Sequence, residues 1–460
     1  MTARPRHDAV KMKMDLRASS LRARSVDACV ATIREGNADM RAVLNVVATP
    51  LRDPDAPDSG ILFDVPYVLK DTWDTAGIVT TGGSWRHRAR VPDESSVVFT
   101  TFQKAGAVLL GKSNLCDLAF SPESDNHLIG ATRNPLDRDR TAGGSTGGGA
   151  AAIGAGMAAF DWGSDFAGSV RMPAAFCGVV GLRLSSETWP IPMEGFFPQT
   201  PSFDVELHGM GPLARTVEGV RSVVRAAERL RKRGAHGGKK MCGVRLYAPD
   251  AACVGAWPTF VGDAARALLS IDERFEVDRT LPSSCFVNDA YNGYVCANFG
   301  AFLAVGELPL GEALSAIVLG LVSNGRLDRR IHPNTGMLLL ALAAGRLTVY
   351  GNAARARDRV RRVEDAMRAI WEKGHLVVAP TATSPAPRHG RAAFDHRLLA
   401  FAKLGNLTDA TAIALPFGHF EDGLPRSLQI LGPPGSEDAV LDLAARLEAR
   451  RPEGQSNARE

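Results

Sequence analysis

What the chain lacks sets the first limits. No apolar run approaches the roughly 20 residues a membrane-spanning helix needs. The longest, "ALSAIVLGLV" (313–322) and "MLLLALAAG" (337–345), read as buried core helices. A charge excess is missing too. The 54 Lys and Arg against 50 Asp and Glu leave +4 over 460 residues, which gives no argument for a nucleic-acid partner. The seven cysteines are odd in number with no C-x-x-C pair, and no histidines cluster at zinc spacing. Reduced thiols in a cytoplasmic protein are therefore expected, rather than a disulfide framework or a metal site. The opening "MTARPRHDAVKMKMDLRASS" is charged and has no apolar centre of the kind a secretion signal carries.

What is present is an ordinary globular composition, 45% hydrophobic and 23% charged, with ample chain for a large core. Apolar spacing predicts a helix across 10–48, then a polar, proline-rich linker at 51–60. "ILFDVPYVLKD" is a short apolar strand running into Lys70, and "SSVVFTTFQKAGAVLLGKSN" alternates helix and strand character. Thr216 and Glu218 open a helix that closes at Gly234. Its basic tail (Arg229, Arg231, Lys232, Arg233, Lys239, Lys240) reads as a solvated helix end, with an anion patch as the alternative. Residues 280–350 scatter aromatics (Phe286, Tyr291, Tyr294, Phe299, Phe302, Tyr350) among aliphatic helices. Segments 375–383 and 426–434 read as strands and "SEDAVLDLAARLEARR" as a final helix. This alternation means an α/β fold. No repeat occurs, and no linker is long enough to demand separate domains.

The most unusual stretch is "TAGGSTGGGAAAIGAG" (141–156), where no side chain is bulkier than Ile153. Glycine costs about 0.5–1 kcal/mol per position against alanine in regular structure, so backbone here must turn sharply or approach something closely. A phosphate loop would follow its glycines with a lysine, yet none lies between Lys112 and Lys232. A dinucleotide fingerprint needs a strand just upstream, where the chain instead has the charged "RNPLDRDRTA". "GGSTG" matches the G-x-S-x-G nucleophile elbow at Ser145, with His208, His236, His332, His375, His389, His396 or His419 as a base. That reading stays open, although the same charged segment denies it a strand. A rigid turn placing Ser145 at a helix N-terminus fits best.

A second glycine-flanked serine, Ser169 in "GSDFAGSVR", follows 24 residues later, and Lys70 ends a strand. Serine needs a base to attack, and a lysine serves when burial disfavours its ammonium.

Here the sequence resembles the amidase signature family of Ser-Ser-Lys hydrolases. The matching stretches are "VPYVLKDTWDTAGIVTTGGS", "GKSNLCDLAF", "RNPLDRDRTAGGSTGGGAAAIGAG" and "GSDFAGSVRMPAAFCGVVGLR". Fainter echoes are "APTATSPAP", "GNLTDATAIALPFG" and "DGLPRSLQILGPP". The resemblance implies one amidase domain over 1–460, with a central twisted mixed β-sheet surrounded by α-helices. Within it, 10–60 would be an N-terminal helical segment and linker, 61–184 the catalytic core, 185–345 a variable substrate-binding region and 346–448 the rest of the core. It implies Ser169 as nucleophile forming an acyl-enzyme, Lys70 as base, and Ser145, after a non-proline cis peptide, as bridge between them. Backbone N–H groups of Phe166, Ala167, Gly168 and Ser169 would form the oxyanion hole. Asp165, Arg171, Gly144 and Thr146 would support the site, with no metal or cofactor.

The implied reaction is hydrolysis of a small-molecule amide to acid and ammonia or amine, in the cytoplasm, by a chain that allows a homodimer and needs neither membrane nor nucleic acid. Alternatives are a glutamine-hydrolysing subunit of an amidotransferase complex and an acyl-transferring homologue. Three positions depart from the pattern: Ala167 replaces a usual glycine, Thr146 a common second serine, and Gly149 a serine or similar residue. Asp409, in "NLTDATAIALP", faces the substrate or caps a helix on this reading.

Overall fold

The computed structural model describes residues 21–190, 205–232, 241–249, 255, 257–298, 310–323, 325, 328–347, 352–382, 384–392 and 398–450. Eleven strands form one sheet: β1 (Val43–Leu51), β2 (Pro66–Lys70), β3 (Val108–Ser113), β4 (Phe160–Asp165), β5 (Val180–Arg183), β6 (Gly209–Ala214), β7 (Gly243–Tyr247), β8 (Phe275–Asp278), β9 (His375–Pro380), β10 (Thr411–His419) and β11 (Pro425–Gly432). Their order is β1-β3-β2-β4-β6-β5-β10-β11-β9-β7-β8. The sheet is mixed. β2 runs parallel to β3 and β4, and β7 to β8 and β9, with antiparallel pairs between these groups.

Twelve α-helices among the described residues surround it: α1 (Val26–Met40), α2 (Val97–Lys104), α3 (Gly147–Gly154), α4 (Arg171–Cys177), α5 (Val217–Ala226), α6 (Phe260–Ser270), α7 (Ser284–Ala297), α8 (Leu310–Ser323), α9 (Pro333–Arg346), α10 (Ala353–Glu372), α11 (Ala400–Leu407) and α12 (Glu437–Ala449). A helix-wrapped mixed sheet is the architecture the resemblance implied.

Side-chain alternation along β2 decides what each face buries. Tyr67 and Leu69 enter one apolar cluster with Phe102, Phe160 and Trp162, where Tyr67 stacks on Phe160 at 4.9 Å between centroids. Val68 packs on the opposite side with Ala150, Ala151 and Ile153 of α3. Lys70 shares the parity of Val68, so a charged residue closes a strand aimed at the glycine-rich helix.

Several sequence expectations need correction. The helix placed across 10–48 stops at Met40, and residues 1–20 lie outside the described part. Arg41 turns left-handed (φ 55), Asn37 Oδ1 accepts the N–H groups of Ala42 and Val43, and the β-branched "VLNVVATPL" then pairs with β3. The helix opened by Thr216 ends at Ala226 rather than Gly234, followed by a 3-10 turn at Glu228–Leu230.

Its basic tail is solvated at Arg229 and Lys232 but not at Arg231. Arg229 donates to Thr101 Oγ1, and Arg231 pairs with Glu437 at 3.1 Å, while Lys232 is exposed. Arg233, Lys239 and Lys240 lie outside the described residues, as do Phe299, Phe302, Tyr350, His236, His396 and Cys253. The apolar helices α8 and α9 are only half core: Ile317 and Leu339 are buried, but Val322 is 81% exposed. Among the described residues no helix is long and apolar enough to cross a membrane.

Candidate active site

The parallel strands β3, β2 and β4 deliver Ser113, Lys70 and Asp165 at their carboxyl ends, where α/β sheets bind ligands. Lys70 is fully buried. Its Nζ lies 2.7 Å from Ser145 Oγ, 3.0 Å from both Thr146 Oγ1 and Ser164 Oγ, and 3.3 Å from the Ser164 carbonyl. Burial pulls the amine down to about 8, against the opposing pull of Cys116, Asp161 and Asp165. Burial also drives the Cys116 thiol up to about 12, so at neutral pH it carries no charge.

Ser145 is held by its backbone. The Gly144–Ser145 peptide is cis, as the resemblance implied. Gly144 has no room for a side chain, because a Cβ there would sit 2.5 Å from the Ser121 carbonyl oxygen. Ser124 Oγ donates to the Ser145 carbonyl at 3.2 Å and accepts the Gly147 N–H at 2.9 Å. Thr146 is the N-cap residue of α3, yet its hydroxyl serves Lys70 and not the helix. The positive end of the α3 dipole thus faces the amine and favours its neutral form.

Ser169 is half-buried. Its carbonyl accepts the Thr146 N–H at 3.1 Å, which joins the two serine segments directly. The loop from 165 to 171 is fixed by a wholly buried Asp165–Arg171 pair at 2.9 Å. Arg171 continues to the Ala402 carbonyl (2.7 Å), Asn406 Oδ1 (2.8 Å) and Gln429 Oε1 (3.0 Å). Desolvation alone would raise the Asp165 carboxyl, but Arg171 and Arg183 overcome it and hold it well below the usual carboxylate range.

Of the four N–H groups assigned to an oxyanion hole, that of Gly168 is already used: it donates to Asp165 Oδ1 at 2.8 Å. The N–H groups of Ala167 and Ser169 have no protein acceptor among the described residues. The Cβ of Ala167 adds no strain, because the left-handed position in this loop is Gly168 (φ 103) and not Ala167. Phe166 and Ala167, with Phe120, are partly buried against an apolar cluster to which α7, α8, α9, α10 and α11 all contribute. Tyr291 Oη donates to the Phe166 carbonyl at 3.0 Å.

A family model described as "Amidase" matches residues 25–241 and 263–441 of this chain. The chain belongs to the amidase signature family. It is therefore an amidase, a hydrolase of amide bonds. The Mycobacterium tuberculosis (strain ATCC 25618 / H37Rv) protein AmiA2, whose name places it among the amidases, is 31% identical over 420 residues, 86% of this chain and 81% of that one. A glutamyl-tRNA(Gln) amidotransferase subunit from Moorella thermoacetica is 30% identical over 435 residues, 86% and 85% of the two chains. Among solved structures, the corresponding subunit from Thermotoga maritima superposes with a TM-score of 0.69 over 94% of this chain and 96% of that one, at 22% identity. That last likeness speaks for the fold alone.

In this amidase some residues singled out by sequence play other parts. Asp409 neither faces the site nor caps a helix. Its carboxylate accepts the N–H groups of Ser186 and Glu187 and the hydroxyl of Ser185, and pairs with Arg183 at 3.0 Å. The elbow reading of Ser145 loses its histidine, since the base-type neighbour of its hydroxyl is Lys70. Burial holds His208 down to about 3 and His332 to about 4, so both are neutral.

Sequence reasoning passed over Ser164, Asn406 and Gln429. The last two stand inside the quoted echoes "GNLTDATAIALPFG" and "DGLPRSLQILGPP", so proximity to matched motifs was the available signal. Replacing Arg171 by methionine leaves the Asp165 carboxylate buried without its cation. A loss of about 3–5 kcal/mol of stability is expected, measured by urea unfolding.

Proposed function

We propose that this amidase cleaves a carboxylic amide through an acyl-enzyme on Ser169, with Ser145 relaying protons and Lys70 as base. The observation that carries the reading is a buried amine near 8, hydrogen-bonded to a serine whose next residue is bonded to the backbone of the other serine. The Ser169 and Ser145 hydroxyls are not hydrogen-bonded to each other in this structure, so in the first half-reaction substrate binding brings Ser169 Oγ onto Ser145 Oγ. Ser169 Oγ then bonds to the carbonyl carbon, and its proton passes through Ser145 Oγ to Lys70. The tetrahedral oxyanion is met by the N–H groups of Ala167 and Ser169, with that of Phe166 beside them. On collapse the C–N bond breaks, and the leaving nitrogen takes a proton from Ser145, which Lys70 restores. Water then attacks the ester by the same relay and releases the acid.

The apolar wall beside Phe166 and Ala167 favours an apolar or aryl acyl group. No metal or organic cofactor has a role in these steps. The free cysteines suit a reducing cytoplasm, and the continuous sheet suits a single amidase unit over the chain.

The test is labelling with a fluorophosphonate followed by peptide mapping, together with ammonia release from a panel of aryl, aliphatic, glutamine, indole-acetamide and urea-like amides. An adduct on Ser169 and turnover of an apolar amide are the expected results. An adduct elsewhere, or none, overturns the assignment. The likeness to the Moorella glutamyl-tRNA(Gln) amidotransferase chain supports a second reading, release of ammonia from glutamine for a partner chain. Glutaminase activity appearing only with a co-purifying protein would favour it.

A further inference from the structure

One buried acid near the site has no part in the steps above. Asp161, on β4, is fully buried, and burial raises its carboxyl to about 6, leaving it ionised at neutral pH. Its Oδ1 accepts the backbone N–H groups of Lys70 (2.9 Å) and Trp162 (2.7 Å), and its Oδ2 accepts Ser113 Oγ at 2.8 Å. All three donors are neutral.

The carboxylate lies between the sheet and α3, in space that a side chain at position 149 would need. A Cβ built on Gly149 would overlap Asp161 Oδ2. The departure at Gly149 noted in the sequence and the acid on β4 therefore make one feature of this chain: a small residue on the helix admits a negative charge beneath the lysine.

Four titratable groups face the Lys70 amine from the elements packed around it: Asp161 and Asp165 on β4, Cys116 after β3 and His208 before β6. Cys116 and His208 are uncharged at neutral pH. Asp165 is charged but paired with Arg171 at 2.9 Å. Among these groups Asp161 alone is an anion without a hydrogen-bonded cation. Lys112 on β3 also feels its field, but Lys112 has its own acid in Asp71 at 3.9 Å.

We propose that Asp161 is a positioning residue for the base, anchoring the Lys70 backbone and setting the proton affinity of its amine through an otherwise unbalanced negative charge. This rests on Lys70 being the base. The carboxylate counteracts the desolvation that favours neutral amine, so Lys70 can hold the proton it takes from the serine relay. Without it the amine deprotonates at lower pH and is a weaker base.

The test compares the wild-type chain with Asp161→Asn, using the rate of fluorophosphonate labelling of Ser169 from pH 5 to 10, a readout that needs no known substrate. The asparagine keeps an acceptor for Lys70 and Trp162 and turns its amide toward Ser113, removing charge with little change of shape. The acid limb of the profile is expected to move down by about one pH unit, the scale of removing a nearby opposite charge. The plateau is expected to fall a few-fold because the base is weaker.

If the asparagine variant does not fold, the pair Asp161→Ala with Gly149→Ser refills the volume with a neutral hydroxyl and is expected to show the same displacement. A lower plateau with an unmoved limb would make Asp161 a packing residue and overturn the proposal. A wild-type enzyme whose Ser169 is unlabelled at every pH would instead sink the assignment of the base, and this inference with it.

Discussion

Ser169→Ala is expected to lower kcat on a cleaved amide by about 10⁴-fold or more, in line with removal of a nucleophile from other hydrolases that act through a serine. The physical reason is that nothing else in the site replaces it. The Ser145 hydroxyl is already paired with Lys70 and lies on the wholly buried turn that leads into α3. Ser169, in contrast, is half-buried rather than buried. The fold should survive the change, because the hydroxyl has no hydrogen-bond partner among the described residues and the loop is held by Asp165 and Arg171. Steady-state rates beside an unchanged thermal midpoint check this. Activity within tenfold of wild type would dismiss Ser169 as nucleophile.

Lys70→Ala is the second large effect, with a loss of about 10²–10⁴-fold in kcat/KM at neutral pH, the usual contribution of a positioned base. Its pH signature is more diagnostic than its size. On the proposed mechanism the amine acts when neutral, so in the wild type kcat/KM should climb as pH rises through about 8 and level off above it. In the alanine variant that step should vanish and leave a shallow profile. A step that persists in the variant belongs to another group. Stability should not suffer from loss of charge, since burial already opposes the ammonium.

Much of this site was legible in the chain because its chemistry is local. The glycines and small residues from 141 to 156 announce a turn that admits no side chains, and the structure confines Gly144 against the Ser121 carbonyl for that reason. Lys70 was found because a strand read from its apolar run ends on it. What stayed hidden depends on pairings far apart in sequence. Asp409 reaches back more than two hundred residues to the 185–187 turn, so no window around it shows its partner. Arg231 looks like part of a solvated helix end until Glu437 of α12 packs beside it. The engagement of the Gly168 N–H follows from loop curvature, which composition does not encode. The early stop of α1 was the nearest miss: "VLNVV" is β-branched, and its apolar spacing suits either element until β3 offers a pairing edge.

The contacts of Arg171 with Ala402, Asn406 and Gln429 bear on how the protein comes into being. Lys70, Ser145 and Ser169 are all translated within the first 169 residues, but the braces of their loop belong to α11 and β11. A nascent polypeptide still lacking those elements holds the three residues and the Asp165–Arg171 pair, but not the groups of α11 and β11 that anchor Arg171. The Ser169 loop therefore gains its full set of braces only when α11 and β11 dock.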